Sequence, residues 1–364
     1  MVLVPVYSAS EKLEPPPLLS PFFFKPEPSE LPPLGKWLTA ECPARIDVSG
    51  GWSDTPPITY EHGGAVTMVA LLVNGKKPVG ARVKRIPELK LVFVIINNGV
   101  ESSRVVCEEL HDLEDYNQPY ASGALLKATF ICGGIIDLES SQSLSEQLQT
   151  NYGGGFEIQS WSNLPLGSGM GTSSILSAAL IGVILRAAGK SCDRMGIIHL
   201  ELYVEQMMTT GGGWQDQVGG ICGGIHIGLS EGETTCVYTS SRPERKTRLA
   251  RNLLQDVVRN WYARNPLIVE TEDNLVALAQ ECSHAFIDGD LKKVGSCLDR
   301  YWQMKKIMAP GCETQIITTL MEAVRPFALG ICMAGAGGGG FMYVLAQDPL
   351  KRCYQTTHTN SKGS

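Results

Sequence analysis

Apolar positions in the first third of the chain come in short runs. Val66–Val73, Leu91–Ile96 and Arg104–Cys107 are rich in Val, Ile and Leu, with Asn or Gly near several of their ends, which predicts β-strands. Ala121–Cys132 reads as a helix closed by Gly133-Gly134, and the polar stretch Ser141–Gln149 fits a loop or a short helix. Gly153–Ser160 predicts a strand leading into Leu164-Pro165. Ser173–Ala188 is apolar on nearly every side, so a buried helix is expected, with Gly189 just past its end. Asp193 is placed to cap a helix over 194–208, which Gly211–Gly213 stops. Gly219–Leu229 reads as a tight turn and a strand, and Asn265–Val269 as another strand. Helices are expected at Asn274–Ile287 and Asp290–Ile307, then strands at Phe327–Met333 and Phe341–Ala346 around a glycine loop. Mixed β and α followed by helices and a closing hairpin predicts an α+β protein of two lobes. No internal repeat is visible.

Composition narrows this picture. With 364 residues, 43% hydrophobic and 19% charged, the chain can build a sizeable core and is not wholly disordered. A net charge of −6 argues against nucleic acid or an anionic membrane as the main partner. The best membrane-span candidate, Ile175–Leu185, is too short and runs into Arg186. No basic segment followed by an apolar one opens the chain, so no signal peptide is expected. The eleven cysteines come no closer than Cys222 and Cys236, which excludes zinc-ribbon and haem-attachment spacings. A soluble, cytosolic protein is the resulting expectation. Nine of the 21 prolines fall in residues 1–35, so residues 1–36 are expected to form an extended tail or linker.

Three glycine-rich loops and an acidic cluster carry the candidate chemistry. In Leu164-Pro165-Leu166-Gly167-Ser168-Gly169-Met170-Gly171-Thr172-Ser173-Ser174, three alternate glycines lead straight into the apolar helix. Such a loop turns successive amides into one concavity, and the helix N-terminus adds partial positive charge; together these bind phosphate. The hydroxyls of Thr172 and Ser173 can reach a phosphate oxygen or a metal. The loop at Gly335–Gly340 matches the spacing of a dinucleotide fingerprint, but strand-like Phe341–Leu345 follows where a helix is required. It can still close over a ligand. Glu201 and Glu205 are one helical turn apart, and Glu205 can point toward the cavity of Asp216, where one carboxylate would act as general base and another would hold Mg²⁺. Glu201 reads as a solvated helix position. In the third segment, Cys42–Pro57, Asp54 can accept sugar hydroxyls, Trp52 can stack on a sugar face, and Arg45 can lower a neighbouring pKa; a plain Asp turn with a structural Arg pair fits equally well.

Taken in order, these loops resemble the GHMP kinase superfamily, and their wording is closest to the L-fucose kinases. Pro43-Ala44-Arg45-Ile46-Asp47 resembles the N-terminal substrate motif, the segment from Pro165 the phosphate loop, and Gly335-Ala336-Gly337-Gly338-Gly339 the C-terminal loop. Gly50-Gly51-Trp52-Ser53-Asp54-Thr55-Pro56-Pro57 and Thr210-Gly211-Gly212-Gly213-Trp214-Gln215-Asp216 carry the fucose-kinase flavour. The resemblance covers about residues 37–349 and implies a ribosomal S5-like N-terminal lobe over 37–245 and a ferredoxin-like C-terminal lobe over 246–349. It implies that Asp216 and Arg45 are catalytic. Pro165, Gly167, Ser168, Gly169, Gly171, Thr172, Ser173, Ser174, Gly337 and Gly338 would bind ATP. Asp47, Trp52, Asp54 and Gly213 would bind sugar, and Thr172 with Glu205 would hold Mg²⁺. The implied reaction is transfer of the ATP γ-phosphoryl group to the anomeric hydroxyl of L-fucose. The alternatives are another kinase of the superfamily, such as one acting on a heptose phosphate, and a non-catalytic ligand-binding protein on the same fold. The family's last lobe continues beyond its third glycine loop, whereas 350–364 here is polar and unpatterned. An incomplete C-terminal lobe, an exposed sheet edge and reduced stability are therefore expected, with activity in question.

Overall fold

The computed structural model describes residues 26–347, apart from 98, 119, 166, 209–211 and 233–247, and apart from the side chains of 248–252. The aromatic trio Phe22–Phe24, the residues up to 25, Thr210, Gly211 and the tail at 350–364 lie outside the described residues.

The strands are β1 Glu27–Pro28, β2 Leu38–Cys42, β3 Ala44–Ser49, β4 Gly64–Leu71, β5 Val79–Ile86 and β6 Leu91–Asn97. They continue as β7 Val100–Cys107, β8 Gly155–Ser162, β9 Lys190–Ser191, β10 Ile225–Ser230, β11 Ala328–Met333 and β12 Met342–Ala346. The helices are α1 Ile58–Glu61, α2 Ala124–Cys132, α3 Leu144–Tyr152, α4 Thr172–Ala187 and α5 Arg194–Met207. They are followed by α6 Gln215–Cys222, α7 Arg248–Tyr262, α8 Pro266–Ile287, α9 Leu291–Met308 and α10 Gln315–Val324.

A five-stranded sheet of order β2-β5-β8-β6-β7 carries the N-terminal lobe, with only the β6–β8 pair parallel. Helices α2 to α5 cover it, and Phe93, Phe130, Phe156, Leu180 and Ile184 fill the space between. A second, antiparallel sheet of order β10-β4-β3 lies against the C-terminal helices. Ala44, Ile46 and Val48 of β3 join the same core as Leu275, Leu298, Tyr301 and Ile331. Alternate residues of a strand face opposite ways, so Arg45 and Asp47 point away from that apolar row. β3 thus belongs to both halves of the molecule, which decides where the site forms.

Several local expectations change. Residues 26–36, expected within the tail, are docked: β1 pairs with β9, and Ser29 N–H donates to Gly189 O at 2.8 Å. Arg85 donates to Pro32 O at 2.8 Å. The apolar run at 265–269 is not a strand; Asn265 caps it, Pro266 takes the first helical turn, and a single 22-residue helix results. The turn expected from Gly219 is helix α6 instead. Gly219 and Gly220 serve close packing there, against the Arg45 stem and Ile175. β5 lacked an apolar run because it alternates: Arg82 and Lys84 leave the core and cover the ring of Trp37 at 4.5 and 4.7 Å. Asp193 does cap α5, accepting from Gly196 N–H at 2.7 Å.

Candidate active site

The phosphate-loop segment and Asp216 meet. Gly171 is the N-cap of α4 at φ 68°, offers no side-chain cap, and opens a 16-residue buried helix. Only a residue without a Cβ fits there, since a Cβ would lie 2.8 Å from Asp216 Cγ and φ is left-handed. Ser174, in the first turn of α4, donates to Glu205 and lies 3.4 Å from Asp216 Oδ2. Thr172 turns the other way and pairs with Ser168 Oγ at 3.2 Å. The hydroxyl brought to Glu205 is therefore that of Ser174, not of Thr172 as expected. Pro165, Gly167 and Ser173 are exposed at the rim, with Pro165 O accepting from Ser168 N–H at 3.2 Å.

The third glycine loop closes on the first. Phe341 N–H donates to Ser168 O at 3.3 Å, and a Cβ on Gly169 would lie 2.6 Å from Ala334 O. Gly337 and Gly338 rest on Cys312, one through its close-packed Cα and the other through its amide.

Charge is concentrated beneath these loops. Arg45 is buried and bridges Asp47 at 2.9 Å and Asp216. Burial opposes its charge, but Asp216 and Asp47 outweigh burial and hold its pKa above the usual guanidinium range. Asp47 is equally buried and takes Lys305 Nζ at 2.7 Å and the Tyr301 hydroxyl. Burial would raise its pKa, yet Lys305 and Arg45 prevail and hold it below the ordinary carboxylate value. Asp54 is fully buried, receiving Gln215 N–H and Gln215 Nε2, both at 3.0 Å. Gly213 packs flush on its carboxyl. Burial pushes Asp54 up to about 7, against the Gln215 hydrogen bond. Trp52, at φ 85°, is buried in the core shared with α8 and α9. The expected sugar residues Asp47, Trp52 and Asp54 are thus enclosed, with Asp47 and Asp54 already hydrogen-bonded within the protein.

Glu205 is buried, and burial is the main cause raising its pKa. Glu201 is not a solvated helix position: it is wholly buried and accepts from Gln217 Nε2. Burial, then the charge of Glu205, raises it well above the carboxylate range. An ordinary helix heptad does not separate that inward acid from an outward one.

The GHMP kinase N-terminal domain matches residues 140–224, and the GHMP kinase C-terminal domain matches 279–354. This chain carries both GHMP kinase domains. It is 30% identical over 328 residues to L-fucokinase/L-fucose-1-P guanylyltransferase of Bacteroides fragilis, covering 84% of this chain and 34% of that protein. It is 30% identical over 343 residues to the bifunctional fucokinase/GDP-fucose pyrophosphorylase of Arabidopsis thaliana, covering 85% of this chain and 30% of that one. The chain therefore spans about a third of the length of these relatives. A D-glycero-D-manno-heptose 1-phosphate kinase from Bacteroides thetaiotaomicron shares the fold at TM-score 0.56 and 17% identity, over 85% of this chain and 88% of that one.

Within this GHMP kinase fold the sequence reading missed Lys305, Tyr301 and Gln215. Lys305 carried a signal: Val294, Cys297, Leu298, Tyr301, Trp302 and Met308 mark the buried stripe of α9, and Lys305 falls on it. A lysine there needs a buried carboxylate partner.

The Gly171 geometry gives a direct test. Gly171→Ala should displace Asp216 and lower turnover about 100-fold, as a misplacement near 1 Å does, with secondary structure unchanged by circular dichroism. Turnover within threefold of wild type would refute the packing role.

Proposed function

We propose that this chain is an ATP-dependent sugar kinase acting on the anomeric hydroxyl of L-fucose. The observation that carries this is the placement of Asp216, pinned by Arg45, against the uncapped N-terminus of α4. The two fucokinase relatives supply the substrate class.

In this reading the α4 amides and the loop at Gly167–Gly171 receive the ATP phosphates, and Gly337 and Gly338 border them. Asp216 Oδ1 is held by Arg45, which leaves Oδ2 to take the proton from the attacking hydroxyl. The new bond joins the sugar oxygen to the γ-phosphorus as the bond to the ADP oxygen breaks. Ser174 and Glu205 bring a hydroxyl and a carboxylate together as hard oxygen donors, which fits Mg²⁺ sharing its shell with phosphates. When bound, Mg²⁺ neutralises charge developing on the transferred phosphoryl group. Ser174 replaces Thr172 in this set, because the Thr172 hydroxyl is turned to Ser168.

A phosphorylated sugar fits less well. Arg45 and Lys305, the buried cations here, are already engaged by Asp216 and Asp47. We assign the reaction to the cytosol: the nine described cysteines are free thiols, and no described helix is long and apolar enough to cross a membrane. We place the boundary between the lobes near residue 245.

The purified protein should release ADP with L-fucose, ATP and Mg²⁺ at about 1–100 per second, and stop when Mg²⁺ is chelated. A coupled ADP assay over free and phosphorylated monosaccharides measures this. Turnover confined to phosphorylated sugars would replace the fucose assignment, and tight ATP binding without ADP release under any sugar would remove the enzyme reading.

A further inference from the structure

Helix α8 buries one face through Ile268, Thr271, Leu275, Leu278 and Cys282, and Glu272 lies on that face with no solvent exposure. Neither of its carboxyl oxygens has a hydrogen-bond partner among the described residues. The helix is anchored beside the site. Thr67 on β4 donates to Ala279 O at 2.7 Å, and His62, just past α1, pairs with Asp273 at 2.6 Å. Glu272 is close enough to Asp54 for that charge to act on it. Two more buried polar atoms lack partners: Gln215 Oε1, on the amide bonded to Asp54, and Trp52 Nε1, two residues before Asp54 in sequence. The Gln215 nitrogens are spent on Asp54, while its oxygen is left over.

The two Glu272 oxygens and Gln215 Oε1 are thus acceptors left unused near one buried carboxyl. Leaving a buried polar group unsatisfied forfeits the hydrogen bonds it made to water in the unfolded chain. A protein retains that cost at sites where a ligand repays it. We propose that Glu272 is a specificity-determining residue that receives hydroxyl groups of the sugar, with Gln215 Oε1 as a second acceptor beside it. The proposal rests on the sugar-kinase reading above. Burial, then the charge of Asp54, pushes the Glu272 carboxyl up to about 8, so at neutral pH it is largely the neutral acid. A neutral acid both donates and accepts, which matches a hydroxyl, whereas a phosphate would need cations. The ligand class is therefore a free polyhydroxyl compound.

The test uses Glu272→Leu and Glu272→Gln in the full chain. Sugar KM, ATP KM and kcat come from ADP release, and melting temperature is read with and without saturating L-fucose. Leucine removes the unpaired acid, so the melting temperature should hold or rise while sugar KM climbs about tenfold or more, with ATP KM and saturated kcat unchanged. Glutamine keeps a neutral donor and acceptor, so sugar KM should stay within about threefold. Unchanged sugar KM in the leucine variant overturns the proposal. So does a fall in its melting temperature, which would mark the acid as structurally satisfied. A loss in the glutamine variant as large as in leucine overturns the neutral-acid role. If wild type itself shows neither turnover nor a thermal shift with any sugar, the kinase reading fails first, visibly in wild type, and this inference falls with it.

Discussion

Asp216→Asn should lower ADP release by about two to four orders of magnitude while leaving ATP affinity within a few-fold. The reasoning is local. Asparagine keeps the shape beside Gly171, so the loop and the start of α4 are undisturbed. Arg45 keeps its 2.9 Å contact with Asp47, so one buried partner remains for the guanidinium. What is lost is the carboxylate oxygen near Ser174 that accepts the proton. Steady-state ADP release and calorimetric ATP titration separate the two effects. Turnover within tenfold of wild type would mean that the proton goes elsewhere.

Asp47→Ala should be the most destabilising single change, at about 3–5 kcal/mol, the usual range for stripping one partner from a buried ion pair. Lys305 and Arg45 would both keep their charges in the core without the carboxyl between them. Tyr301 would lose its acceptor too. Urea denaturation at neutral pH measures the loss, and a difference under about 1 kcal/mol would refute the role. The acid limb gives an independent check. The native Asp47 pKa lies below its ordinary 3.8, so the unfolded chain binds this proton more tightly than the folded one. The stabilisation is complete above the ordinary value and is lost as pH falls toward the lowered native value. Wild type should show that descent, and the alanine variant should show it weakened.

Much of this was legible in the sequence, for identifiable reasons. Three glycine loops in a fixed order announce themselves because backbone near phosphate leaves no room for side chains. Asp193 and the apolar stretch of α4 are equally plain, since capping and burial act over a few neighbours. The failures were non-local. Pro266 begins a helix because Asn265 caps it, though the apolar residues after it suit a strand. Glu201 is inward because α6 and Gln217 cover it, a fact that i,i+4 spacing cannot carry. The choice between Thr172 and Ser174 turned on helix phase: two residues along, a hydroxyl rotates about 200° around the axis and meets a different neighbour. Asp47 reads as a sugar ligand in the sequence because its clamp, Lys305 and Tyr301, lies more than 250 residues away.

That distant clamp also constrains motion. Asp47 sits on a strand of the N-terminal half, yet it is gripped by α9, and its backbone oxygen accepts from the Tyr343 hydroxyl. Lys305 in turn donates to Met333 O at 3.0 Å and Gly335 O at 2.8 Å, at the root of the third glycine loop. Swinging the two halves apart would drag three charged groups into a widening gap, a far steeper climb than bending a glycine-rich tip. In the proposed kinase this rivet would therefore hold Asp47, and with it Arg45, in register with Asp216 from one turnover to the next.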